Sequence, residues 1–160
     1  MFVIRVLVNF TPDDNATGFQ DFITLSVDGV VLWSGMCSTA PNGFQAVGRK
    51  KWRDVYSWIA PSVLSIKLIE KHRRFGSCFL INSGEEVKSR IANVNHKFKK
   101  VMSEIFLHKA LGIINKNWRG SAGCLTMPKK NLSQIIKIIQ SRKLGTEGVI
   151  IISDNSDLQY

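Results

Sequence analysis

The pattern of apolar and polar positions predicts strands in several stretches of the chain and follows a helical period in two others. Residues 2–10 alternate weakly and are rich in β-branched types, which predicts a first strand. Thr11-Pro12-Asp13-Asp14-Asn15 breaks it, and a loop follows to about Asp21. Residues 22–27 and 30–34 flank Asp28-Gly29, the strongest short hairpin signal in the sequence, and predict two antiparallel strands. Residues 62–70 and 78–82 read as two more, joined by the polar turn Lys71-His72-Arg73-Arg74. Ile105, Phe106 and Leu107 form a short apolar strand that would leave His108 at its end.

Two stretches follow the helical period instead. Val87, Ile91, Val94, Phe98, Val101 and Ile105 recur at helical spacing and predict a helix over residues 85–104, covering one face of the sheet. The second begins at Pro128, whose fixed φ and missing N–H suit a first helical position. Leu132, Ile135, Ile136 and Ile139 then mark one buried face. Trp52, Tyr56 and Trp58 are expected as core or sheet-packing residues, and residues 153–160 as a loose polar tail.

Composition narrows the class. The 160 residues suit one domain, residues 1–160, of mainly β (β-rich α+β) architecture with enough chain to bury a core. Twenty-two Lys and Arg against twelve Asp and Glu give a net charge of +10, a bias toward anionic partners such as nucleic acid, acidic lipid or wall polymers. The basic residues are dispersed and belong to no nucleic-acid motif, so each cluster reads as solvated surface and no specific nucleic acid is expected. No apolar run is long enough to span a bilayer, and the N-terminus lacks the features of a secretory signal, so the general export route is not expected. Cys37, Cys78 and Cys124 form no C-x-x-C pair, and no metal or cofactor is implied. Cys37 and Cys78 are expected as inert buried thiols, with a mutual disulfide left open in an oxidising compartment.

Cys124 differs in its surroundings. It lies in Ser121-Ala122-Gly123-Cys124-Leu125-Thr126-Met127-Pro128, between a glycine and a short apolar segment that leads into a helix. Only a thiolate attacks efficiently, so a catalytic cysteine needs an imidazole or a helix N-terminus nearby. His108 stands sixteen positions upstream, and Gly112, Asn115, Asn117 and Gly120 between them permit a loop that returns the chain. In that arrangement His108 is the base, Cys124 the nucleophile, and the N–H groups of Gly123 and Cys124 the oxyanion donors. Arg119, Trp118 and Asn117, just ahead of the motif, are candidates for binding the substrate, Arg119 through a carboxylate. His72 and His96 are read as surface residues of a basic turn and a lysine-rich face.

These residues resemble the YkuD-like L,D-transpeptidases, including their effector and phage-lysin relatives. Ser121, Gly123, Cys124, Leu125 and Met127 match the family's cysteine motif, with His108 at the position of the upstream histidine. Ala122 stands where most members carry a second histidine, and Thr126 where many carry arginine. The Asp28-Gly29 hairpin, the segment Thr39-Ala40-Pro41-Asn42-Gly43-Phe44 and a closing strand over residues 144–152 follow in the family's order, so the resemblance spans about residues 22–152. It implies a mixed-sheet sandwich with a helix after the cysteine. It also implies peptidoglycan stem peptides as substrate, and L,D-transpeptidase or L,D-carboxypeptidase action through a Cys124 thioester, with Ser121 in the catalytic motif. Such an enzyme acts in the periplasm or cell wall, delivered by a secretion apparatus or by lysis; an immunity or delivery partner is not identified. The alternatives are a catalytically degenerate wall-binding module on the same fold and a basic nucleic-acid-binding protein.

Overall fold

Strand-forming alternation accounts for most of the fold. The computed structural model describes residues 1–9, 19, 21–39, 58–90, 101–102, 104–110 and 124–154. Among them are eleven strands and one α-helix: β1 (Phe2–Val8), β2 (Asp21–Val27), β3 (Val30–Cys37), β4 (Trp58–Ile59), β5 (Ser62–His72), β6 (Gly76–Ile81), β7 (Val87–Arg90), β8 (Val101–Met102), β9 (Phe106–Lys109), β10 (Leu125–Met127), α1 (Lys129–Ser141) and β11 (Glu147–Asp154). Eight strands form one sheet in the order β10-β9-β6-β5-β11-β1-β2-β3. The pairs β1/β11 and β9/β10 are parallel and the other neighbours antiparallel. Where a sandwich is expected, this single sheet curls into a nearly closed barrel.

The seam is closed just beyond β3. Ser38 bridges Thr126 of β10, with Ser38 N–H donating to the Thr126 carbonyl at 2.7 Å and Thr126 N–H to the Ser38 carbonyl at 2.9 Å. The Asp21 carboxylate holds this edge: it accepts the Thr39 N–H at 2.6 Å, the Thr39 hydroxyl at 2.7 Å and the Asn9 N–H at 2.9 Å. One buried acceptor thus ties the ends of β1, β2 and β3 together.

Because paired residues share a sheet face, the register fixes the core. Leu64, Ile150, Ile4, Leu25 and Trp33 form one inward row across five strands, and Leu68, Phe79, Leu107 and Leu125 form another. Phe2 and Phe79 meet edge-to-face across the interior, ring centroids 6.0 Å apart. Gly148 is required beside Phe2, since a Cβ there would lie 2.6 Å from the Phe2 carbonyl oxygen. The hairpin forms at Asp28 and Gly29, φ 50° and 79°, the left-handed pair that a tight two-residue turn demands.

Helix α1 buries Leu132, Ile135, Ile136 and Ile139, as its spacing predicts, and these join the barrel core. Pro128 is the residue before the first helical one, with ψ 138°, rather than the first helical position itself. The helix lies along the inward side, where Trp33 Nε1 donates to Gln134 Oε1 at 3.0 Å and Gln140 Nε2 to Glu70 Oε1 at 3.2 Å. It is anchored on both sides of the seam that carries β10.

The helix expected over residues 85–104 is not present where the chain is described. Val87–Arg90 and Val101–Met102 are strands, paired Val87 to Met102 and Lys88 to Val101, while residues 91–100 and 103 lie outside the described residues. Val87 is buried in the core, and Trp58 and Ile59 of β4 pair with Arg90 and Ser89. Trp52, Tyr56, His96 and residues 155–160 also lie outside the described residues; Ser153 and Asp154, assigned to the tail, end β11. Among the described residues no helix is long and apolar enough to cross a membrane.

Candidate active site

The parallel pairing of β9 and β10 brings the predicted nucleophile and base to one sheet face. The register sets Leu125 against Leu107 and Thr126 against His108, so Cys124 falls opposite Phe106. Side chains alternate, which sends Leu107, Leu125 and Met127 into the core and leaves Cys124, Thr126, Phe106 and His108 on the other face. A lateral spacing of about 4.8 Å and a two-residue stagger separate the Cys124 and His108 backbones by about 8 Å. Continuing the β6/β9 register places Cys78 opposite His108 on this same face.

The imidazole is held in one tautomer. His108 Nδ1 lies 2.6 Å from the Lys109 carbonyl oxygen, which can only accept, so Nδ1 carries the proton and Nε2 has the free lone pair. A main-chain carbonyl therefore orients the base. Burial lowers the His108 pKa to about 4, with the charges of Arg74 and His72 acting in the same direction and the Lys109 carbonyl opposing them. The ring is thus neutral near pH 7. Cys124 is half-buried, and burial raises its pKa; a Phe106 main-chain hydrogen bond and the Arg74 charge act against that rise. At rest the pair is a thiol and a neutral imidazole rather than a thiolate and an imidazolium.

His72 is not the plain turn residue the sequence suggests. Between Ile69 and His72 the β5/β6 register shifts by one residue, and this bulge turns His72 from the side shared by Leu68 and Glu70 to the face of Cys78 and His108. Phe75 then lies between two imidazoles: its ring stacks on His108 at 4.0 Å and 12°, and on His72 at 4.9 Å and 15°. Phe106 packs obliquely against Phe75 at 5.2 Å and against His72 at 4.9 Å. His72 Nδ1 accepts the N–H groups of Arg74 and Phe75, both at 3.3 Å, which fixes the turn. The Arg74 guanidinium sits 5.5 Å over the Phe75 ring.

No family model, curated protein or solved structure matches this chain. Of the residues expected from sequence, Cys124 and His108 come together on one face, and Gly123, Ser121, Arg119, Trp118 and Asn117 lie outside the described residues. His108 is the third residue of β9 rather than its end. Cys37 and Cys78 are buried free thiols with raised pKa, burial being the main cause in both; that of Cys78 reaches about 11. Sequence reasoning missed Phe75, Arg74 and His72, whose place at the site depends on a long-range pairing and a bulge. The one local signal was their position three to six residues before Cys78.

Proposed function

We propose that this protein is a cysteine acyl-transfer enzyme acting on peptide amides, with Cys124 as nucleophile and His108 as general base. The observation that carries the reading is the shared face of Cys124 and His108 on adjacent parallel strands, with His108 Nδ1 tied to a carbonyl so that Nε2 is the basic nitrogen. A neutral imidazole beside a neutral thiol performs general-base catalysis as the substrate arrives: Nε2 takes the Sγ proton while Sγ attacks the carbonyl carbon. The N–H groups of Gly123 and Cys124 receive the oxyanion, a role worth on the order of 10²–10³ in rate. The C–N bond then breaks, the leaving amine takes the proton from His108, and a Cys124 thioester remains.

The resemblance to YkuD-like L,D-transpeptidases supplies the substrate class. On this reading the acyl donor is a peptidoglycan stem peptide, attacked at the L-centre of its diamino acid with loss of a terminal D-amino acid. Resolution by a second stem amine is transpeptidation, and resolution by water is L,D-carboxypeptidase action. Ser121 belongs to the motif, and Asn117, Trp118 and Arg119 bind the donor. The protein acts at the cell wall or in the periplasm, reached by a secretion apparatus or by lysis.

The test is incubation with purified tetrapeptide and pentapeptide muropeptides, followed by mass analysis of products and of the intact protein. Expected are a thioester adduct on Cys124 and loss or exchange of the terminal D-residue, both abolished by Cys124→Ala. A second reading, a wall-binding module without turnover, is favoured by the Phe75 ring lying flat on His108. Retention of muropeptide with no adduct and no product would select it.

A further inference from the structure

The turn between β5 and β6 has no part in the chemistry above, yet it overhangs the site. The bulge in β5 aims His72 outward, the His72 ring accepts two N–H groups of the turn, and Phe75 is wedged between His72 and His108. A turn fixed this way holds the next side chain in a defined place. That side chain is Arg74, exposed, its guanidinium 5.5 Å over the ring that covers His108. Among the described residues the one ion pair joins Lys67 and Glu147 at 3.6 Å, so no described carboxylate neutralises Arg74.

We infer that Arg74 is a substrate-recognition residue whose guanidinium receives a carboxylate of the acyl donor beside Cys124. The inference rests on the proposed acyl-transfer reading and extends it by naming a residue, Arg74, that receives a donor carboxylate near the scissile carbonyl. Guanidinium and carboxylate match in planar, two-point geometry, and Arg74 is exposed with its guanidinium 5.5 Å from the Phe75 ring centre. The Arg74 charge is felt at both reacting groups: it favours the Cys124 thiolate and disfavours protonation of His108. A carboxylate seated on Arg74 would screen that charge and leave His108 better able to hold the thiol proton as attack begins. Arg73, its neighbour, is also exposed and carries the same charge one position away.

Alkylation separates this inference from the enzymatic reading, because it needs no turnover. Iodoacetate and iodoacetamide are nearly the same size and differ in charge, and their rates at Cys124 are measured by peptide mass analysis in the full chain. In the wild-type protein the iodoacetate to iodoacetamide ratio is expected to exceed that of a free thiol. Arg74→Gln lowers it by about fivefold, the scale of one solvent-accessible ion pair. Arg74→Lys falls between, and Arg73→Gln, which removes the same charge one position away, leaves the ratio within about 1.5-fold of wild type. An unchanged ratio in Arg74→Gln, an equal fall in Arg73→Gln, or failure of iodoacetamide to reach Cys124 would overturn the inference. If the ratio behaves as expected while muropeptides give neither adduct nor product, the anion site stands and the acyl-transfer reading falls. Where muropeptides do react, Arg74→Gln raises KM for a donor with a free carboxylate and leaves KM for the amidated donor unchanged.

Discussion

The buried, neutral His108 makes a quantitative demand on stability. In the unfolded chain an imidazole takes up a proton near pH 6.5, whereas folding lowers the His108 value to about 4 through burial, helped by the Arg74 and His72 charges. Between those values the unfolded state binds more protons, so stability falls as pH falls through this window. The contribution is complete above about pH 6.5 and flattens below about pH 4. At about 1.4 kcal/mol per pH unit, the loss between pH 7.5 and pH 4.5 is about 2–3 kcal/mol. The comparison is His108→Gln, which retains an N–H donor for the Lys109 carbonyl and does not titrate. Urea unfolding of both proteins at the two pH values gives the difference of differences, in which titrating groups distant from His108 cancel. A value of about 2–3 kcal/mol is expected. A value below about 0.5 kcal/mol would mean that His108 is not the desolvated base described, and the assignment of a neutral general base would go with it.

Three other perturbations address the scaffold of the same site. Phe75→Ala removes the ring covering His108, so its pKa rises from about 4 toward the ordinary 6.5 in an NMR titration, and chemical denaturation should show a loss of about 3 kcal/mol. Asp21→Ala strips the acceptor from the Thr39 and Asn9 N–H groups, costing about 2–3 kcal/mol by urea unfolding; as Thr39 follows the bridging Ser38, faster iodoacetamide alkylation of Cys124 is also expected. Gly148→Ala drives a methyl against the Phe2 carbonyl and ring, and a stability loss of about 3 kcal/mol is expected by thermal or chemical unfolding with the site residues untouched.

Local chemistry alone determined several parts of this protein. Asp28-Gly29 could close a tight hairpin because both residues tolerate positive φ, and it did so with strands that follow the expected spans. The spacing of Leu132, Ile135, Ile136 and Ile139 dictated one buried helical face whatever it would pack against. A cysteine after glycine and a histidine upstream could be singled out by residue type. Residues 85–104 show where that reasoning fails. Their spacing satisfies a helix, but β-branched Val87 gains a buried place in the core and Val87 and Lys88 find partners in Met102 and Val101, and pairing between distant segments outweighs local periodicity.

That Cys124 and His108 share one sheet face was decided by tertiary structure. It depends on β9 and β10 lying parallel in one register, since a shift by a single residue would send the thiol or the imidazole into the core. Arg74, Phe75 and His72 reach the site only because β6 pairs with β9 and one extra residue in β5 reverses the direction of His72. Neither the pairing nor the bulge is carried by neighbouring residues. Both follow from closing one sheet around a shared apolar interior, a condition that exists only when all eight strands are assembled.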